Sequence, residues 1–294
     1  MNKLFKNKRI WYLAIVLLMM VVMVGCAKIY DDNHQILPEK IISLSTTFKY
    51  MFDNEGWFQA IFVWPVAQMI NYLTPYAGIL GSIALVTVGI NVLTFGLTVK
   101  STVSSQKMQM IQPEAKKIQE KYKDKKDQKS QMQMANELNA LYAKYKINPI
   151  GSLVTPFMQL PILIAMYQAV QRSESVVTGK FMGVELTNTP QYGFQNGVYV
   201  LVVIFVLMAV SQFLSMQIPQ YLTKRRAEKN RTRRHGDDQE GNPANTMMYG
   251  MLLMIVFIGF TWPAAMSLYW TVTSIVNIVK TVFIQWRYID NEKV

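Results

Sequence analysis

The chain carries little of the usual equipment for covalent or metal chemistry. Among its 294 residues there is one cysteine, Cys26, and two histidines, His34 and His235. A single thiol excludes an internal disulfide framework and a cysteine-rich metal site. Two isolated imidazoles leave almost no room for His-based catalysis. No Gly-rich phosphate loop, His-Glu-x-x-His pair or nucleophile elbow occurs. What the sequence does contain is hydrogen-bonding chemistry where hydrocarbon is expected. Thr87, Asn91 and Thr94 interrupt an otherwise apolar run at i, i+4 and i+7, so they share one helix face. Taken alone, such a face reads as interhelical hydrogen bonding, which in membrane bundles averages about 0.6 kcal/mol per contact.

The elements that must position this face follow from composition. The chain is 51% hydrophobic and only 16% charged, against about 25% charged in soluble proteins. Its apolar residues are gathered into long runs, which predicts an all-α, polytopic membrane protein. The spans are assigned to residues 79–99, 150–170, 198–218, 247–261 and 267–284. The second contains Pro156 and Pro161, tolerated where neighbouring helices satisfy the freed carbonyls. Pro263, after Thr261-Trp262, divides the last block into two short spans joined by a tight turn. These five runs hold no Asp, Glu or His, which removes the acids or the Ser–His pair that an intramembrane protease needs.

The N-terminus reads as a processing segment. Lys3, Lys6, Lys8 and Arg9 precede an apolar run over residues 11–24, too short for a span of about 20 residues but suited to a signal h-region. The run ends at Met23-Val24-Gly25-Cys26, which resembles a lipobox, the signal of a bacterial lipoprotein. Residues 1–25 are then a lipoprotein signal peptide, and Cys26 is acylated and begins the mature chain outside the cytoplasm. The alternative is a free structural cysteine after an uncleaved anchor.

Charge distribution tests the orientation independently. With the N-terminus outside, the inside segments 100–149, 218–246 and 285–294 hold 11, 7 and 2 Lys+Arg, and the outside segments 27–78 and 171–197 hold 3 and 2. Lys280 is counted at the inner end of the last span. This is a strong positive-inside bias, so the net charge of +12 is topological, and specific DNA binding loses its support. The expected location is a bacterial cell membrane, with a lipid-anchored N-terminus outside and residues 285–294 a short cytoplasmic tail. The external segment 26–78 carries an aromatic and aliphatic stretch over 57–73, broken by Pro65 and Pro75. An interfacial amphipathic helix fits it, with the tryptophans at headgroup level. Residues 171–197 form an external loop and 219–246 a basic cytoplasmic loop.

Residues 104–146 are polar, with no Gly and Pro only at 113. Met108, Ile111, Ala115, Ile118 and Tyr122 fall at helical spacing, as do Met134, Leu138, Leu141 and Tyr145. The lysine-rich stretch 123–129 lies between them. The pattern predicts an antiparallel pair of amphipathic helices within a cytoplasmic hairpin over 100–149.

Several of these residues are recognisable. Lys107-Met108-Gln109, Gln112-Pro113-Glu114, Lys116-Lys117-Ile118-Gln119-Glu120-Lys121-Tyr122, Leu141-Tyr142 and Asn148-Pro149 resemble the cytoplasmic hairpin of the YidC membrane-protein insertases. Thr155-Pro156-Phe157-Met158-Gln159-Leu160-Pro161-Ile162 to Tyr167 is similar to that family's second core helix. Gly259-Phe260-Thr261-Trp262-Pro263-Ala264-Ala265 with Ser267-Leu268-Tyr269-Trp270 resembles its final helical turn. The likeness covers about residues 55–285.

The resemblance implies a five-transmembrane-helix insertase core with a polar groove, open to the cytoplasm and the lipid and closed outside. It implies newly made membrane proteins as partners, membrane lipids around them, and the Sec translocase and the ribosome as further candidates. No cofactor is implied beyond the lipid on Cys26. In the family the groove holds an arginine in the first core span; here Asn91 stands in its place, and Gly96 stands where proline is usual. On this reading Asn91, with Thr87 and Thr94, keeps the recess polar while removing its fixed charge. An amide binds a backbone or a carboxylate but does not attract a distant anion as a guanidinium does. Gln159, Ser211, Gln212, Ser215, Thr271 and Asn277 are further candidates for the lining. Tyr269 and Trp270 brace the last helix. Lys224, Arg225, Arg226, Arg231, Arg233 and Arg234 are candidates for ribosome contact, or else retain their loop inside. An assembly chaperone without independent insertion activity is the nearest alternative function, and a small-solute transporter or channel the more distant one.

Overall fold

The computed structural model describes residue 29 and residues 36–125, 127–148, 154–229 and 243–289. Cys26, the signal segment, Arg231, Arg233 and Arg234 lie outside them. The described part of the chain is helical, and its β-pairing is confined to isolated bridges such as Ile42 with Ser173. The helices are α1 (Phe48–Glu55), α2 (Trp64–Met110), α3 (Gln112–Lys121), α4 (Gln128–Lys144), α5 (Val154–Arg172), α6 (Glu174–Val177), α7 (Pro190–Gln195), α8 (Tyr199–Lys229), α9 (Pro243–Thr261) and α10 (Ala264–Ile284).

Among the described residues, three stretches are long and apolar enough to cross a membrane: Gln59–Gly96, Tyr199–Leu222 and Ala264–Tyr288. Tyr249–Thr261 is a shorter apolar helix. The first is too long for one straight span, since 38 residues would rise about 57 Å against a hydrocarbon core of about 30 Å. It is broken at Gly78, whose φ of 67° and ψ of 174° suit glycine and interrupt the helical hydrogen bonds. Pro75, three residues earlier, has already removed one amide donor. The stretch before Gly78 is therefore a separate arm with an aromatic and aliphatic exposed side that includes Trp57, Phe62, Met69 and Tyr72.

The chain divides into two compact units, 1–82 with 159–187 and 83–158 with 188–294. In the first, Phe58, Val63, Ala67 and Ile70 of the arm are buried, as are Ile42, Met166 and Val170. Polar side chains fasten this unit together. Trp64 Nε1 donates to the Thr46 carbonyl at 2.7 Å, and Asn71 Nδ2 donates to the Ile42 carbonyl at 2.7 Å. Glu55 accepts from Lys40 at 2.7 Å and pairs with Arg172 at 3.4 Å. Burial pulls the Arg172 pKa below its ordinary value, and the Glu55 carboxylate pulls it back up.

The second unit contains the hairpin and the remaining long helices. α2 continues past residue 99 to Met110, where Pro113 forces a break and α3 begins with its proline in the first turn. Ile111, Ala115, Leu141 and Ile147 form a small core, with Met108, Ile118, Leu138, Tyr142 and Tyr145 packed around it. Asp127 caps α4 by accepting from the Ser130 amide at 2.8 Å. Glu137 accepts from Lys121 at 2.6 Å and from the Tyr122 hydroxyl at 2.8 Å; the lysine and then the tyrosine hold its carboxyl below the usual range. The Tyr145 hydroxyl donates to Glu114 at 2.5 Å, and that carboxylate pushes the phenol up to about 12.

Helix ends differ from several of the bounds read in the sequence. α8 does not stop at 218 but runs to Lys229, so Lys224, Arg225 and Arg226 stand on a helix and not in a loop. The residues after Pro219 are mostly strong helix formers, and they carry the helix on after hydrophobicity has ended. α10 likewise continues past 284 as a π-helical turn over Gln285–Ile289, which shortens the expected tail.

Candidate functional site

Within the second unit the helices place apolar side chains outward and polar ones inward. Val92 and Leu93 on α2, Val203 and Leu207 on α8, and Ile275 and Val279 on α10 are exposed, while Thr87, Asn91, Ser267 and Ser274 are buried. In water this arrangement would leave a large apolar surface unmatched; in lipid it is the favourable one. The inward polar residues are the raw material of a site.

On α2 each predicted residue first satisfies its own helix. Thr87 Oγ1 donates to the Ile83 carbonyl at 2.7 Å, and Thr94 Oγ1 to the Ile90 carbonyl at 2.8 Å. Asn91 is the exception, because only its amino group is used locally. Nδ2 donates to the Thr87 carbonyl at 2.9 Å, which turns Oδ1 away from its own backbone. That oxygen accepts from Lys280 Nζ on α10 at 3.0 Å.

α10 supplies most of the polar surface. Ser267, Thr271, Ser274, Asn277 and Lys280 follow one another at steps of three and four, and at about 100° per residue the series winds round α10, so that Ser274 meets α8 while Lys280 meets α2. Ser274 Oγ donates to Gln212 Oε1 of α8 at 2.7 Å. Lower on the same helix, Gln106 Nε2 of α2 donates to the Thr281 carbonyl at 3.4 Å. These three contacts tie α2, α8 and α10 along one polar seam. The side-chain oxygens of Ser267 and Gln106 are buried with no hydrogen-bond partner among the described residues.

The other predicted residues are distributed unevenly. Ser211 is buried and bonds back to the Met208 carbonyl at 2.9 Å. Ser215 and Asn277 are half-buried on α8 and α10, and Gln159 is half-buried on α5 in the first unit. Tyr269 is buried, and Trp270 stacks on Trp262 with ring centroids 5.6 Å apart, bracing the α9–α10 turn. There the Ala264 amide also donates to the Asn188 carbonyl at 2.9 Å. Of the basic cluster only the Arg225 side chain is among those described, and it is exposed.

One expectation is corrected. The polar face around Asn91 is not free of charge, because Lys280 brings an ammonium group to it from the facing helix. In the sequence Lys280 sits near the end of a span and reads as a topological residue.

Fold and site together define an all-helical, multi-pass membrane protein with a polar seam between its helices. Comparison with known proteins makes this specific. The family model described as "60Kd inner membrane protein" matches residues 69–292. The chain is 36% identical to membrane protein insertase YidC 1 of Streptococcus pyogenes over 227 residues, 77% of this chain and 73% of that protein. It is 28% identical to YidC 2 of Bacillus anthracis over 98% of this chain and 97% of that one. Its identity to the insertase MisCA of Bacillus subtilis is 31%, over 79% of this chain and 81% of the other. The chain belongs to the YidC family of membrane protein insertases.

Proposed function

We propose that this chain inserts membrane proteins by offering a segment in transit a polar surface inside the bilayer, along the seam where α10 meets α2 and α8. A charged group at the bilayer centre costs about 2.5–3.5 kcal/mol on translocon scales. A surface that exchanges hydrogen bonds partway through the membrane lowers that barrier without any energy-yielding reaction. The observation that carries the reading is the run of polar residues on α10, which donates hydrogen bonds to Gln212 on one neighbour and to Asn91 on the other.

The five-span core, the cytoplasmic position of the hairpin and the external N-terminus belong to the same proposal. Their support is the distribution of Lys and Arg. The Sec translocase and the ribosome are proposed partners. For the ribosome the candidate contact is the cluster formed by Lys224, Arg225, Arg226, Arg231, Arg233 and Arg234. The test is direct: proteoliposomes containing the full chain should insert a single-span test protein well above empty liposomes, and a photo-crosslinker at position 212 should capture that protein during insertion. Insertion no better than in empty liposomes overturns the proposal, as does crosslinking to lipid alone.

The lipid anchor is proposed on the sequence Gly25-Cys26 at the end of the apolar leader. Cys26→Ser is expected to abolish incorporation of labelled palmitate and to leave the leader uncleaved, visible as a larger product on a gel. Palmitate labelling that survives the substitution would remove the anchor from this position.

A further inference from the structure

The loop after α6 holds a bulky apolar side chain in a backbone conformation that does not suit it. Phe181 and Val184 exchange both backbone hydrogen bonds, at 2.8 and 2.9 Å, and so close a two-residue hairpin turn. Its central residues, Met182 and Gly183, have φ of 51° and 80°. Positive φ at both positions is the type I′ pattern, which favours Asn-Gly, Asp-Gly or Gly-Gly. Gly183 meets that demand without strain, and Met182 does not. The methionine is also 76% exposed, so contacts within the described chain offset little of the strain.

Magnitudes decide what could offset it. The left-handed backbone disfavours a residue that carries a Cβ by roughly five- to thirty-fold. Moving a methionine side chain from water into hydrocarbon favours it by roughly ten- to a hundred-fold. Burial in something outside the chain therefore outweighs the strain, and exposure to water does not.

The place of the hairpin in the fold identifies that surface. Gly179, at its base, lies so close to Ile79 that a side chain there would collide with it and with the Ser175 carbonyl. Ile79 follows the break at Gly78, where the first span begins, so the base is fixed at the end of a span. Tyr76, two residues before the break, is 78% exposed, and tyrosine is characteristic of membrane interfaces. Met182 is three residues from Gly179, at most about 11 Å of extended chain. The interfacial layer is about 5–8 Å thick on each side of the hydrocarbon, so the acyl chains are within reach of the tip. Behind the tip Lys180 and Glu185 pair at 3.7 Å, with both side chains exposed, a charged collar suited to headgroups.

Resting on the external position proposed for residues 171–197, we propose that the hairpin over residues 180–185 is an anchor in the outer leaflet. Met182 enters the lipid, while Lys180 and Glu185 stay among the headgroups. The first unit is thereby held to the leaflet at a point separate from the aromatic arm.

The experiment places the full chain in vesicles of phosphatidylglycerol and phosphatidylethanolamine, doped with a lipid that carries a diazirine high on its acyl chain. After illumination, adducts are mapped along the chain by mass spectrometry. Residues 181–184 of the parent should be labelled, as should the segment around Tyr76. Met182→Asn should lower labelling of the hairpin about tenfold or more, and Met182→Leu should retain it. Met182→Asn should melt no lower than the parent in detergent, because it supplies the Asn-Gly pair that this turn prefers, so lost labelling is not lost folding. A hairpin free of adducts while the Tyr76 segment is labelled overturns the proposal and turns the tip toward water or a protein partner. Labelling unchanged in Met182→Asn overturns it as well. Failure of the topology looks different: an impermeant amine reagent applied to intact cells would then leave Lys180 unmodified, and the assignment to the outer leaflet would fall.

Discussion

Glu55→Ala is expected to destabilise the first compact unit by about 3 kcal/mol or more, visible as a fall of roughly 10 °C in the unfolding midpoint in detergent. The reason is the guanidinium it leaves behind. Arg172 has 1% of its side chain exposed and Glu55 5%, so neither charge can turn to water when the other is removed. Glu55 also accepts from Lys40 at 2.7 Å, and Arg172 Nε donates to the Lys40 carbonyl at 2.7 Å. One carboxylate thus joins the segment before α1 to the end of α5. Replacing both partners should behave differently. In Glu55→Met with Arg172→Met no buried charge remains, and apolar substitutes of similar volume often match or exceed a buried ion pair. Arg172 Nη1 already lacks a partner among the described residues, which favours that outcome further. The double variant should recover most of the lost midpoint. If Glu55→Ala melts with the parent chain, the ion pair contributes nothing and this account of the unit is wrong.

How much of this was legible in the sequence depended on the range of each interaction. The hairpin was readable because its apolar positions recur locally: Met108, Ile111, Ala115 and Ile118 point to one face before any tertiary contact is known, and they meet Leu138 and Leu141 in the fold. The α9–α10 turn was readable from Pro263 alone, which stands at the cap of α10. That Thr87 and Asn91 share one face was legible, since a 3.6-residue period needs only one helix, and both are buried in the fold. Their partners were not readable. Asn91 and Lys280 are 189 positions apart, and Arg172 lies 132 from the carbonyl it bonds. Nothing in a lysine near the end of a span distinguishes one that reaches the headgroups from one that turns inward. The choice is made by the facing helix, and a pattern read along one strand of sequence carries no record of it.

The same limit hid Asn71, whose replacement has the second large expected effect. It sits in the aromatic stretch that was read as an interfacial helix, where a single amide attracts no notice. In the fold it is 3% exposed and holds three segments at once. Nδ2 donates to the Ile42 carbonyl at 2.7 Å, while Oδ1 accepts from the Ser173 hydroxyl and from the Ser175 amide at 3.0 Å. Asn71→Leu keeps the volume but strands the Ser175 N–H and the Ser173 hydroxyl without an acceptor. Each buried orphan costs about 1–3 kcal/mol, so a loss of about 3 kcal/mol is expected. Asn71→Asp separates the two halves of the amide's role. A carboxylate still accepts from Ser173 and Ser175, yet it has no donor for the Ile42 carbonyl and sets a negative charge against that oxygen. The midpoint in detergent should therefore fall for both variants, with Asp recovering at acid pH, where a protonated carboxyl regains a donor, and Leu showing no such recovery. Equal midpoints for the parent and the Leu variant would mean that the β-bridge of Ile42 with Ser173 holds these segments without the amide. Loss of the Asp variant's acid recovery alone would mean that the Ile42 carbonyl is adequately satisfied by its second donor, the Glu174 amide at 3.1 Å.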